Sequence, residues 1–305
     1  MLAIASSAPP ASADPALTER RSDLRASVSC PATFTHLERN PILLVHGTAS
    51  TPEENWGWNY ARVLPSLGYD VCAVRLPNRA LDDIQISAEY VVYAIRRVAM
   101  LSGVKIDVIG HSQGGMLPRW ALKFWPNLRR MVDDFVALAP PNHGAYGADY
   151  LCPTTCAPAA QQQKTTSKFM AALNAGSPKL GVDYTIINSL TDELVQPAVG
   201  TPTAAVAGAS NILVQDICPG RPVHHAGLVH DAVIYRLVMD ALRYRGPADP
   251  GRVDPAVCTE TSAPGLTAVD VAAGNVLLYG NAYPAFGAYP ASEEPRVRPY
   301  ARPKP

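Results

Sequence analysis

Ser112 stands in Gly110-His111-Ser112-Gln113-Gly114, a serine with a glycine two residues to either side. A serine hydroxyl attacks an acyl carbon when a histidine takes its proton and a carboxylate holds that histidine in the right tautomer. Before the pentapeptide come Val104, Ile106, Val108 and Ile109, which read as a short buried strand. After it, bulky apolar residues recur at helical spacing: Met116, Trp120 and Phe124. Strand, G-x-S-x-G and helix together describe a nucleophile elbow, a strained turn whose glycines keep Cβ atoms out of crowded backbone. The pentapeptide alone says less, because a glycine-rich turn whose serine caps the next helix has the same composition. Pro118 falls inside the expected helix and removes an i→i−4 bond, which predicts a kink.

The partners of such a serine follow it in the chain, acid first and histidine second, each on a loop after a strand. Histidines occur at 36, 46, 111, 143, 224, 225 and 230, and only the last three lie beyond the later strands. His111 adjoins Ser112, but an elbow turns successive side chains apart. His46 ends the first strand, where it shapes a loop. Asp192, in "NSLTDELVQP", directly follows an apolar strand and lies in a polar loop ended by Pro197. Glu193 and Asp216 are the competing carboxylates, and Asp216 is too close in sequence to His225 for two separate loops. Local pattern does not choose between His224 and His225. For the oxyanion of a tetrahedral intermediate, one donor should be the backbone N–H of Gln113. A second should come from the loop after the first strand, where Gly47 permits close approach and Thr48 adds a hydroxyl; one such donor is typically worth about 3–4 kcal/mol of barrier.

Positioning these loops requires a sheet. Strands are expected at 41–45, 70–74, 104–109, 132–138, 183–190 and 211–214, and helices at 55–67, 84–100 and 228–244. Their alternation predicts a mostly parallel sheet with helices on both faces. Residues 140–180 break the rhythm and are rich in Ala, Pro and Gln, as an insertion over the carboxyl edge of the sheet would be. Residues 269–289 are apolar, small and aromatic. They suit either a helix or loop packed on the core or a hydrophobic lip over the site. The tail "RPYARPKP" should run extended along the surface.

The chain has 305 residues, 48% of them hydrophobic and 17% charged, with 26 acidic and 26 basic side chains. That length buries a substantial core. Zero net charge and the lack of a basic stripe argue against nucleic acid as a partner. Six cysteines with no C-x-x-C and no histidine at zinc spacing argue against a metal site and for disulfides, hence an oxidising compartment. Cys152 and Cys156 bracket a Pro-Thr-Thr loop and could close on each other. Residues 1–13 are small and apolar and end in Ala11-Ser12-Ala13, an A-x-A cleavage pattern without a positive n-region; they read as a clipped signal peptide or a disordered leader. No apolar run reaches the roughly 18 residues that span a bilayer. Secretion, without a membrane anchor, is the expectation.

From about Cys30 to Arg302 the chain resembles the α/β-hydrolase lipases, the bacterial class 2 lipases among them. The stretches that carry this are "HGTAST", "LGYDVC", "DIQISAEYVVYAI", "SQGG", "TDELVQP", "HHAG" and "RPYARP". The resemblance implies one α/β-hydrolase domain over 14–305, with a cap or lid at 144–170 and a C-terminal wrap at 259–305. It implies Ser112 as nucleophile, Asp192 as acid and His225 as base, with Thr48 and Gln113 as oxyanion donors. It also implies the disulfides Cys30–Cys72 and Cys218–Cys258, leaving Cys152 with Cys156. Gly47, His111, Pro141, Leu277 and Leu278 fall where such lipases line their pocket. Pro141, in "LAPPNHG", stands where a relative of this type has a carboxylate, and His111 where it has tryptophan, so pocket shape and selectivity should differ. The implied activity is hydrolysis of carboxylic esters or lipids by a monomer that needs no metal or organic cofactor. Polyester hydrolysis and acyl transfer to an alcohol are variants on the same triad. A non-catalytic binding module should lack a triad member, and none is missing here.

Overall fold

The computed structural model describes residues 14–152, 154–177, 181–286 and 289–302, so the expected leader at 1–13 lies outside the described residues. Seven strands form one sheet: β1 (Val28–Ser29), β2 (Ile42–Val45), β3 (Val71–Val74), β4 (Ile106–His111), β5 (Val132–Leu138), β6 (Asp183–Asn188) and β7 (Ser210–Leu213). Their order across the sheet is β1-β3-β2-β4-β5-β6-β7. β1 pairs antiparallel with β3, and every other pair is parallel. β2 and β4 are buried along their whole lengths, which is why "ILLV" and "IDVIGH" read as unbroken runs and not as alternations.

The helices are α1 (Arg21–Ala26), α2 (Pro52–Trp56), α3 (Tyr60–Ser66), α4 (Ile84–Ser102) and α5 (Gln113–Phe124). They are followed by α6 (Tyr146–Leu151), α7 (Pro158–Gln162), α8 (Lys168–Asn174), α9 (Val214–Ile217), α10 (Ala232–Arg243) and α11 (Ala268–Phe286). No helix of the described residues is long and apolar enough to cross a membrane. The fold is the mostly parallel, helix-flanked sheet expected of an α/β-hydrolase, with four local departures.

The helix expected at 55–67 is two helices. Thr51 and Glu54 form a capping box for α2, and the Asn59 side chain accepts the N–H of Tyr60 to start α3. Trp56, Tyr60, Val63 and Leu64 are all buried, so apolar spacing carried across the break. The helix expected from 228 begins at Ala232 instead, where Asp231 accepts the N–H of Val233; His225–Val229 is a separate tight turn. β1 is new, too short for a pattern of alternation to register. The tail turns at Pro299–Ala301 and does not run extended: Tyr300 packs its ring 4.8 Å from Trp125 and 5.5 Å from Phe124.

α5 continues through Pro118. The carbonyl that Pro118 cannot serve is that of Gly114, which lies against Gly110 of β4. The three cysteine pairs 30–72, 152–156 and 218–258 are bonded. The first and last close spans of 42 and 40 residues, each worth about 4 kcal/mol in the chain-entropy account.

Residues 144–170 carry α6 and α7 and lead into α8. Gln161, Gln162 and Gln163 are buried, and each holds a different part of the molecule. Gln161 donates to the Ala291 carbonyl, Gln162 accepts the N–H of Ile84 at the start of α4, and Gln163 donates to Thr48. α11 lies alongside, with Ala282 and Ala285 packed on Ala49, Leu81 and Ala157.

Candidate active site

Ser112 joins β4 to α5 with φ 57° and ψ −128°, a conformation that costs an ordinary residue about 1–3 kcal/mol. The surroundings impose it. Ser112 donates its N–H to the Leu138 carbonyl of β5 at 2.8 Å, and Gly115 donates to the Ser112 carbonyl at 2.8 Å. A Cβ on Gly110 would lie 2.0 Å from the Gly114 carbonyl oxygen, and one on Gly114 would lie 2.2 Å from the Val45 carbonyl oxygen. Only glycine fits either position, so the G-x-S-x-G spacing follows from how closely the helix sits on β2 and β4. Ser112 is partly exposed between buried His111 and Gln113. Its hydroxyl makes no hydrogen bond among the described residues.

The loop after β6 brings Asp192 to His225. Nδ1 of His225 lies 2.8 Å from Asp192 Oδ2, and both side chains are buried. The other carboxylate oxygen accepts the N–H groups of Leu194 (2.8 Å) and Val195 (2.9 Å). Burial would raise the Asp192 carboxyl, but the charge and hydrogen bond of His225 and these two N–H groups hold it below the usual range. Burial likewise opposes charge on His225, and Asp192 overcomes it, raising the imidazole. With Nδ1 committed to Asp192, Nε2 is left as the ring's free acceptor. Thr191 clamps the two loops together: its hydroxyl donates to the Val223 carbonyl (3.0 Å) and accepts the Val223 N–H (2.7 Å). That clamp decides between the paired histidines. His225 turns inward, while the His224 ring is exposed, 3.7 Å from Glu193. Glu193 accepts the main-chain N–H of His225 and not its ring, and Asp216 is exposed on α9.

His111 is 2% exposed, with its ring 4.7 Å from that of His225 and Nε2 3.1 Å from the His225 carbonyl. Burial, then the neighbouring His225, lowers it to about 3, so it is a neutral prop for the histidine turn. It offers little surface to a pocket floor. At the end of β2, Gly47 donates its N–H to Asn55 Oδ1 at 3.0 Å. The N–H groups of Thr48 and Gln113 donate to no residue among those described. The Thr48 hydroxyl accepts from Gln163 and donates to Gln113 Oε1, both at 3.1 Å. Pro141 is buried in the loop after β5; on α11, Leu277 is 41% and Leu278 8% exposed.

Pattern reading missed Asn55, Gln163 and Tyr279. Asn55 holds both Gly47 and the His111 ring, and Tyr279 bonds the Ala226 N–H at 3.0 Å. None carries a local signal: apart from the Asn55–Gly47 bond, their partners at the site lie far along the chain. Among the described residues, metal-like spacing occurs at Asp107, Asp133 and Asp134, at the opposite edge of the sheet. Asn40 and the Lys105 ammonium already bind that group.

Residues 39–218 match the family model described as Lipase (class 2). The chain is 33% identical to Lipase B of Pseudozyma antarctica, over 96% of this chain and 88% of that one. It superposes on the crystal structure of Aspergillus fumigatus lipase B with a TM-score of 0.88 and 32% identity, over 96% of this chain and 74% of that chain. The family match extends over more than half the sequence and the likeness to Lipase B over nearly all of it, on a sheet that carries a serine elbow beside an Asp–His pair. The chain belongs to the class 2 lipases, carboxylic-ester hydrolases of the α/β-hydrolase fold.

Proposed function

We propose that the protein is a secreted triacylglycerol lipase or esterase that works through an acyl-enzyme on Ser112, His225 and Asp192. Nε2 of His225 takes the Ser112 proton as the oxygen attacks the ester carbonyl, and the Asp192 carboxylate stabilises the imidazolium that forms. The free N–H groups of Thr48 and Gln113 receive the oxyanion, joined by the Thr48 hydroxyl once its hydrogen turns from Gln113 Oε1. Collapse expels the alcohol, which takes its proton from His225. Water, deprotonated by the same ring, then releases the acid.

The observation that carries this reading is the Asp192–His225 contact, buried and fully satisfied, next to the elbow. Gly47, Pro141, Leu277 and Leu278 border the substrate, with His111 behind the histidine. All these residues come from one chain, so a monomer suffices. Secretion is supported by three disulfides. Hydrolysis of short- and long-chain p-nitrophenyl esters tests the proposal. Wild type should turn over both, with the chain-length ratio separating lipase from esterase. Ser112→Ala should lose more than about 10³-fold in rate. Inactivity of wild type on every ester, or full activity of Ser112→Ala, would overturn it.

A further inference from the structure

The histidine turn is held from outside as well as from beneath. Tyr279 of α11 donates its hydroxyl to Glu193 Oε1 (2.6 Å) and accepts the main-chain N–H of Ala226 (3.0 Å). The other oxygen of Glu193 accepts the main-chain N–H of His225 (2.9 Å). Adjacent residues of the acid loop therefore grip the histidine at two levels, Asp192 on the ring and Glu193 on the backbone. The Tyr279 hydroxyl closes a circuit from Glu193 to Ala226 and back to His225. Burial and the Glu193 carboxylate push the phenol up, so it stays a protonated donor through the working pH range.

α11 does not depend on this hydroxyl for its own seat. Arg62 binds Asp270 at its start (2.9 Å), and Asn281 donates to Glu54 (2.8 Å). Between them, Gly274 rests on Trp58 so closely that a Cβ would lie 2.2 Å from the indole. With the helix fixed by these contacts, the Tyr279 hydroxyl is a fixed point from which the histidine turn is held.

We infer that Tyr279 is a positioning residue for the proposed catalytic histidine, making helix α11 part of the support of His225 as well as a border of the pocket. This rests on the serine-triad reading above. Without the hydroxyl, the Ala226 N–H and one Glu193 oxygen lose their partner, and the backbone that carries His225 is free to shift. Displacements well below 1 Å at a general base are costly, since about 1 Å loses on the order of 10²-fold.

The test is kcat and KM for Tyr279→Phe on p-nitrophenyl acetate and on a long-chain ester, with thermal unfolding of the same samples. A positioning role predicts a fall in kcat of about 10-fold on both esters, KM for the acetate within about twofold, and an almost unchanged Tm. Glu193→Gln, at an exposed side chain, should give a similar fall, and the double variant should be no worse than either single one. If Tyr279→Phe fails to fold, Glu193→Gln carries the same test alone. Wild-type kcat in the variants, with only long-chain KM altered, would make Tyr279 a wall of the pocket and overturn the inference. Inactive wild type would sink the triad reading and this inference with it.

Discussion

Asp192 and Asp134 are both buried, near opposite ends of the neighbouring parallel strands β6 and β5, and their carboxyls are pushed in opposite directions. Two main-chain N–H groups and an imidazole serve Asp192, and it is held below the ordinary range. Asp134 Oδ1 has no donor, and Asp134 is raised to about 8 by burial first and then by Asp107, Asp183 and Asp133. Asp107 is raised to about 7 by burial even though Asn40 and the Asp134 N–H bond it. Burial is common to both ends; the charge of the His225 ring, added to its donors, keeps Asp192 ionised, whereas neutral donors alone leave Asp107 raised. A polar cleft of about 630 Å³ opens beside Asp133, Asp134 and Asp183, yet it has no serine or paired histidine on its walls. The end that can stabilise an imidazolium is the end with the elbow.

The largest effect that would sharpen this contrast is Asp192→Asn, which keeps the shape but frees the wrong histidine tautomer. A loss of about 10⁴-fold in kcat is expected on p-nitrophenyl esters. Asp134→Asn should leave kcat within about twofold; comparable losses in the two variants would break the comparison. Next in size, Thr48→Ala removes the hydroxyl that Gln163 orients and should lower kcat by about 10²-fold with little change in Tm.

Smaller, and confined to stability, is the pH response. Asp107 and Asp134 bind protons in the folded chain at pH values where the unfolded chain has released them. Their contribution is therefore full below about pH 4 and is lost as pH rises through about 7 and 8. Asp192, with a lowered carboxyl, contributes in the opposite sense: its share is present above about pH 4 and disappears on acidification. Urea midpoints should fall between pH 6 and pH 9 in wild type and fall less in Asp134→Asn. An equal fall in the two would show that the amino-edge carboxyls are not what titrates.

The elbow was legible because strain writes itself locally: only glycine clears the Val45 and Gly114 carbonyls, so the spacing survives in any such turn. Asp192 was legible as a carboxylate placed where a buried strand gives way to a polar loop. His224 and His225 could not be separated by pattern because the choice is made by Thr191, more than thirty residues upstream, clamping Val223. Gln161 to Gln163 registered only as part of a Gln-rich insertion, although each is buried with its own distant partner. The start of α2 is written in the Thr51–Glu54 capping box and the break before α3 in the Asn59 cap, but apolar spacing runs across both. What stayed hidden is tertiary in origin: caps aside, the missed residues act across gaps that no local window spans.

The most direct measurement is peptide mass mapping after reaction with a serine-directed phosphonate, comparing labelling rates of wild type, Asp192→Asn and Asp134→Asn. The account predicts a single adduct on Ser112, formed far more slowly in Asp192→Asn and at the wild-type rate in Asp134→Asn. An adduct on another residue, or equal labelling of wild type and Asp192→Asn, would contradict it.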